Sequence, residues 1–226
     1  MQVTQSHRGT IFLDNARVLT HDHVQADQHI LRVHAPQVAA TARPGSFAHV
    51  RCAEHLPMRR PLSIMRVDVG QGWVEFLYKN VGVGTAALAT AAPDDILDVL
   101  GPIGQGFTLN DDRSRPVLIG GGVGIPPMVF LADILRQRPH AWPVVFMGSE
   151  VAFPFPVKPS EILLEGTPAQ AIACLPLLDD WGIPSRLASG QGFPGCFDGH
   201  VTELAGEWLS TLGAEALGQV QIFACG

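Results

Sequence analysis

Residues 118–128 read LIGGGVGIPPM, an apolar run that gives way to four glycines and then to two prolines. Glycine frees the backbone, so that amides can close on a bound group or pass tightly under a core. Pro126 and Pro127 preset the backbone for the first turn of a helix, where their missing N–H groups cost nothing. A glycine turn between a buried strand and a helix gathers free N–H groups and the positive helix end at one point, which favours an anionic phosphate. The dinucleotide fingerprint G-x-G-x-x-G is not met, because its third glycine would fall on Ile125 counted from Gly120, or on Pro127 counted from Gly122. From these residues alone, a nucleotide loop and a tight turn under a core both stand.

Outward from the glycines, PVLIG at 116–120 has the length and composition of a buried strand. Met128, Leu131, Ile134 and Leu135 recur at helical spacing, and PVVFMG at 143–148 reads as a second buried strand. Strand, helix and strand make a βαβ unit with a parallel sheet. Farther on, AQAIACLPLLDDWG and VTELAGEWLSTLG suggest helices and QVQIFAC a further strand, while prolines and glycines break up residues 151–199. The proline-rich 151–168 stretch is expected to be a long surface loop.

Upstream the rhythm differs. IFLDNARVL, HILRVHA, FAHVRCA, PLSIMRVDV, WVEFLYKN and DILDVLG are short runs rich in Val, Ile, Leu and Phe, divided by turn residues. They predict a small antiparallel barrel or sandwich with one short helix at TAALATAA, residues 85–92. The polar LNDDRSRP at 109–116 separates the two styles, so one domain is expected over 1–112 and a second over 113–226.

The 226 residues suffice for two such domains with real cores. With 15 Lys and Arg against 21 Asp and Glu, a formal net charge of -6 offers no basic face for nucleic acid. The mean hydropathy of +0.20 is high for a soluble chain, but the charge-free stretch from Pro116 to Ala132 is too broken by glycine and proline for a spanning helix. The opening MQVTQSHRGT has no apolar run after its basic residue, so no secretory signal and a cytoplasmic location are expected. Cysteines at 52, 174, 196 and 225 form no C-x-x-C pair, which predicts reduced thiols and neither a zinc set nor a cluster-binding run. His21-Asp22-His23 reads as a solvated turn, since no third ligand is spaced to join it, and no metal site is expected. Trp73, Trp142, Trp181 and Trp208 read as packing residues.

A second candidate anion site lies in RRPLSI at 59–64, where an arginine fork precedes a proline that keeps the chain extended and a serine that can donate or accept. An ordinary strand start with a solvated arginine is the alternative. KNVGVGT at 79–85 would open the short helix and offer a further phosphate contact.

The order Arg-Pro-x-Ser, G-x-G-T, GPIGQGF (101–107), GGGVGIPPM and a closing ACG (224–226) resembles the ferredoxin reductase superfamily over nearly the whole chain, with PGSF (44–47) where that family tends to have P-G-Q-F. Within it, the pattern is most similar to the electron-transfer subunits of two-component dihydroorotate dehydrogenases, which carry FAD and a [2Fe-2S] cluster. The resemblance implies an antiparallel β-barrel FAD-binding domain followed by an α/β Rossmann-like parallel-sheet domain for NAD(H). It implies that Arg60, Pro61, Leu62 and Ser63 hold FAD, with Arg60 at the pyrophosphate and Ser63 near the reactive edge. Gly84 and Thr85 would take the FAD phosphates, with Lys79 and Val81 lining that site. Gly121, Gly122, Gly124 and Pro126 would receive NADH, and Cys225 and Gly226 would approach its nicotinamide, so that Ser63 and Cys225 flank the chemistry.

The implied partner is a catalytic flavoprotein subunit of the dihydroorotate dehydrogenase kind, in pyrimidine biosynthesis. Related modules of a hydrogenase, a sulfide reductase or a ferredoxin reductase, or an inactive scaffold, are the alternatives. The family's cluster sits on four cysteines beyond the Cys-Gly motif, so a [2Fe-2S] cluster is expected only if a cysteine-bearing tail follows Gly226. Glu150, after the second strand of the nucleotide half, leans towards NADH, because a 2′-phosphate would want an arginine there. Residues 188–204, ASGQGFPGCFDGHVTEL, depart from the family pattern.

Overall fold

A computed structural model describes residues 9–226; most of the opening stretch read for a leader lies outside them. The chain divides into two compact units, one of the residues up to His23 with Gln28–Gly106, the other of Val24–Asp27 with Phe107–Gly226.

The first unit is a closed six-stranded antiparallel barrel in the order β1-β2-β5-β4-β3-β6. Its strands are β1 (Phe12–Val24), β2 (Gln28–His34), β3 (Phe47–Arg51), β4 (Arg60–Asp68), β5 (Trp73–Lys79) and β6 (Ile96–Ile103). All six were legible as apolar runs. The two-residue period sends Ala16, Val18, Leu31, Val33, Val50, Ile64, Val74, Phe76 and Val99 inward, each with no exposed surface. Pairing of β6 with both β1 and β3 closes the sheet and removes its edges. Two short helices, α1 (Pro36–Thr41) and α2 (Val83–Leu88), interrupt the strands. The solvated turn expected at His21–His23 is instead the last part of β1. There His21 turns towards the barrel and its Nε2 lies 2.9 Å from the Tyr78 hydroxyl.

The second unit holds a four-stranded parallel sheet in the order β11-β8-β7-β12, formed by β7 (Arg115–Gly121), β8 (Val144–Gly148), β11 (Ser185–Ala188) and β12 (Val220–Cys225). Alternate residues of β7 and β8 face opposite sides. Val117, Val144 and Phe146 pack with Leu204, Ala205 and Trp208 of α5 (Val201–Ser210). On the other side, Gly120 meets Met128 of α3 (Ile125–Leu135), a helix buried over most of its circumference. A short α6 (Ala214–Gly218) precedes β12.

Two expectations fail here. The helix read over 169–182 is only α4 (Pro176–Asp180), because Pro176 forces its predecessor out of helical geometry, and Ala173–Cys174 form β10, which pairs with β9 (Lys158–Pro159). The 151–168 stretch is a largely irregular surface segment, as expected, and it is tied down at several points. Phe153, only 1% exposed, packs on Phe155 and Phe193. The buried Asp179 carboxylate accepts from Ser160 Oγ at 2.6 Å and Glu161 N–H at 3.0 Å, with Lys158 Nζ at 3.9 Å. Lastly, Trp142 is 70% exposed and is not a packing residue. Among the described residues, no helix is long and apolar enough to cross a membrane.

Candidate cofactor sites

In the barrel unit, two of the family-like residues, Arg60 and Gly84, come together. Arg60 opens β4, and its guanidinium lies against the face of Gly84, so closely that a Cβ there would collide with Arg60 Nε. The same guanidinium donates to the Met58 and Arg59 carbonyls at 3.2 and 3.4 Å. Glycine at 84 thus leaves room for the arginine that crosses it, which a side chain there would push aside. The Thr85 hydroxyl accepts from the Val81 and Gly82 amides at 2.9 and 3.1 Å, which folds residues 81–85 around it. Thr85 is buried and its side chain shapes the loop from within, while Val81 and Val83 stand 77% and 74% exposed on its outside. Lys79, at the end of β5, is exposed.

Ser63 lies opposite Phe47 in the β3–β4 register, with Leu62 opposite Ala48 and Pro61 opposite His49. Phe47 in turn abuts Gly104, which has a φ of +94° that side chains rarely adopt and little space for one, since a Cβ there would stand 3.3 Å from Phe47 Cε1. The Ser46 hydroxyl donates to the Arg43 carbonyl at 2.7 Å and accepts from the Arg43 amide at 3.2 Å, which locks the PGSF turn. PGSF, Ser63 and GPIGQGF therefore form one wall. Phe47 and Gly104 were not singled out as site residues, although both motifs that contain them were legible.

In the second unit, the strand order reverses between β7 and β12, and ligands of open α/β sheets bind at the carboxyl ends of strands beside such a switch point. Gly121, Gly122 and Gly124 stand there on one side, Cys225 and Gly226 on the other. Gly122 has a φ of +50°. A Cβ on Gly124 would collide with the Cys225 carbonyl oxygen, and one on Gly121 would lie 4.0 Å from Gly226 Cα. At Gly124 only bare backbone fits against the chain at the end of β12, whereas a side chain at Gly121 would make ordinary contact with Gly226. Pro126 is buried in the first turn of α3, and Cys225 is an exposed free thiol. The other thiols are buried. Desolvation pushes Cys52 and Cys196 up, and Cys174 is pushed up to about 11 by burial and then by the Asp179 carboxylate beside it.

The ends of β8 and β11 are also joined, since the Ser149 amide donates to Ala188 O at 3.2 Å and the Ser189 hydroxyl to Ser149 O at 2.7 Å. Glu150 follows, exposed. The departure from the family pattern at 188–204 thus begins with a connection that holds the sheet end in shape. Neither serine carried a sequence signal.

No family model matches the chain. Among solved structures, the ferredoxin reductase of carbazole 1,9a-dioxygenase is similar over 96% of this chain and 61% of its own, with a TM-score of 0.70 and 20% identity. Phthalate dioxygenase reductase, described as a modular structure for electron transfer from pyridine nucleotides to [2Fe-2S], is similar over 96% and 60%, with a TM-score of 0.65 and 16% identity. The barrel and the parallel-sheet unit that follows it are therefore the fold of the ferredoxin reductase class. Within that class the chain resembles the electron transfer subunit of dihydroorotate dehydrogenase B (NAD(+)). It is 45% identical to that subunit of Bacillus caldolyticus over 100 residues, 42% of this chain and 39% of the relative. It is 38% identical to that of Desulforamulus reducens over 125 residues, 54% and 48%. The matched segments span about two fifths to a half of those relatives.

Proposed function

We propose that the chain is a flavin-dependent electron-transfer protein that accepts hydride from NADH onto FAD and passes electrons to a catalytic flavoprotein partner, a dihydroorotate dehydrogenase subunit of pyrimidine biosynthesis. In this reading residues 1–112 are the FAD-binding domain, residues 113–226 the NAD-binding domain, and the protein works in the cytoplasm. The observation that carries the reading is the pair of side-chain-free cradles, Gly84 beneath Arg60 and Gly121–Gly124 against Cys225–Gly226, which suit extended anionic dinucleotides that need close backbone approach.

Bound FAD would supply the chemistry of accepting a hydride and releasing single electrons. The chain's own residues bind and orient. Arg60 offers its guanidinium fork to the pyrophosphate, beside the first-turn amides of α2, which have no partners within their helix. Lys79 and Val81 line the outside of that loop. Pro61 and Leu62 hold β4 extended, and the Ser63 hydroxyl donates to the reactive edge of the ring. Gly121, Gly122 and Gly124 close on the pyridine nucleotide, Pro126 fixes the helix behind them, and Cys225 and Gly226 border the nicotinamide. Glu150 favours a ribose hydroxyl over a 2′-phosphate, hence NADH. A [2Fe-2S] cluster belongs to this reading only with a cysteine-bearing tail beyond Gly226.

The test is the visible spectrum of the purified protein with FAD. A flavin band bleached by NADH without oxygen supports the proposal, and a protein that takes up no FAD overturns it. A second reading, a module of another redox complex such as a hydrogenase, sulfide reductase or ferredoxin reductase, is favoured by the breadth of the structural likeness to oxygenase reductases. Co-purification with the partner chain separates the two. An inactive scaffold would bind FAD without being reduced.

A further inference from the structure

Apart from both cradles, three side chains of one hairpin converge. His23 stands near the end of β1, Asp27 ends the single 3-10 turn Gln25–Asp27, and His29 is the second residue of β2. Their ligand atoms all lie within 4.8 Å of one another. Ala26 and Asp27 have φ values of 56° and 53°, so the chain reverses over these two left-handed residues and brings the carboxylate back beside the imidazoles.

His29 is buried and held in orientation by a relay of contacts. Its ring stacks on Tyr78, with centroids 5.1 Å apart and planes 12° from parallel. The Tyr78 hydroxyl lies 2.9 Å from His21 Nε2, and His21 Nδ1 lies 2.8 Å from the Ala91 carbonyl. A carbonyl only accepts, so His21 Nδ1 carries a proton, and in the neutral ring Nε2 accepts from Tyr78. His21 is committed to this support and is not a ligand. Fixed orientation of a ligand histidine by an outer layer is what metal centres require.

We infer that His23, Asp27 and His29 bind one first-row divalent cation of the zinc class. Two imidazoles and a carboxylate suit zinc, cobalt or nickel better than calcium or magnesium. Donors about 2.0–2.1 Å from a tetrahedral ion lie about 3.3 Å apart. The observed spacing therefore closes by rotation of His23 and Asp27, both exposed, about the fixed His29. Solvent completes the shell, and the bound ion ties β1 to β2 across their turn. The inference does not depend on the flavin reading.

The experiment titrates the untagged full chain, freed of metal by a chelator, with Co2+ and follows the visible ligand-field bands, with Zn2+ as competitor. One equivalent is expected, without the thiolate charge-transfer band that Cys225 would give. His23→Ala and Asp27→Asn, both at exposed positions, each weaken Co2+ binding at least tenfold, while His140→Ala does not. Wild-type protein that binds no stoichiometric Co2+, a thiolate band, or undiminished binding by both variants overturns the inference.

Discussion

Two glycines, one in each unit, are closely approached, but what approaches them differs. Gly84 meets the guanidinium of Arg60, the far part of a flexible side chain, whereas Gly124 meets the Cys225 carbonyl, which is backbone fixed by the β7–β12 pairing. A side chain can move aside and a paired strand cannot. The same residue type therefore makes room for a side chain in the barrel and for the architecture itself in the parallel sheet.

Substitution at these positions gives the largest effects and the sharpest way to break that contrast. Gly124→Ala should cost roughly 3 kcal/mol or more, since overpacking against backbone finds no relief, and should lower the melting temperature of its unit by about 10 °C in calorimetry. Gly84→Ala should leave the melting temperature nearly unchanged and displace Arg60. Arg60→Ala should weaken FAD binding about a hundredfold, in line with about 1.5–3 kcal/mol for hydrogen bonds to a charged group, measured by fluorescence titration. Equal melting temperatures for the Gly84 and Gly124 variants would remove the distinction.

A smaller effect concerns the Asp179 anchor, which belongs to the second unit alone. Burial works to raise this carboxyl, but hydrogen bonds from Ser160 and Glu161, with Lys158 nearby, outweigh it and hold the group below its usual value. A depressed folded-state pKa contributes stability that is present above the unfolded value, near 3.9, and is lost as pH falls through the folded one. Asp179→Asn should cost about 1–3 kcal/mol at neutral pH and flatten the acid limb of stability measured by urea unfolding between about pH 5 and pH 2. An unchanged acid limb would show that the anchor is not what senses acid.

The barrel was legible because its strands alternate, and the glycine turn was legible because a strand and a proline-started helix frame it. The edge strand β11 was not. Its four residues include Ser185 and Arg186, both buried, so it has no apolar run to read, and Arg186 donates from its terminal nitrogens to the distant Ile162 carbonyl and its neighbour Ser185 while its buried Nε has no hydrogen-bond partner. The anchoring of the 151–168 loop was equally illegible, since it comes from Asp179 and Phe193, far along the chain. The motifs located the candidate cofactor residues, but the inward turn of Thr85 and the wall of Phe47 on Gly104 depend on contacts that spacing does not encode.

Thr85 offers the smallest effect and the finest cut. Its hydroxyl binds two successive amides, those of Val81 and Gly82, so Thr85→Val keeps the shape of the side chain but leaves two donors to find water. Because Val81 and Gly82 lie at the surface, solvent can replace much of what is lost, and the global cost should stay near about 1 kcal/mol. The loop itself should loosen, which hydrogen exchange at residues 81–85 would detect as faster exchange of these amides against an unchanged barrel core. Thr85→Ser, which keeps the hydroxyl, should restore slow exchange. If FAD affinity falls in the valine variant but not in the serine one, the hydroxyl matters by holding the loop in shape; if it falls in the serine variant but not in the valine one, the methyl group is the part that counts.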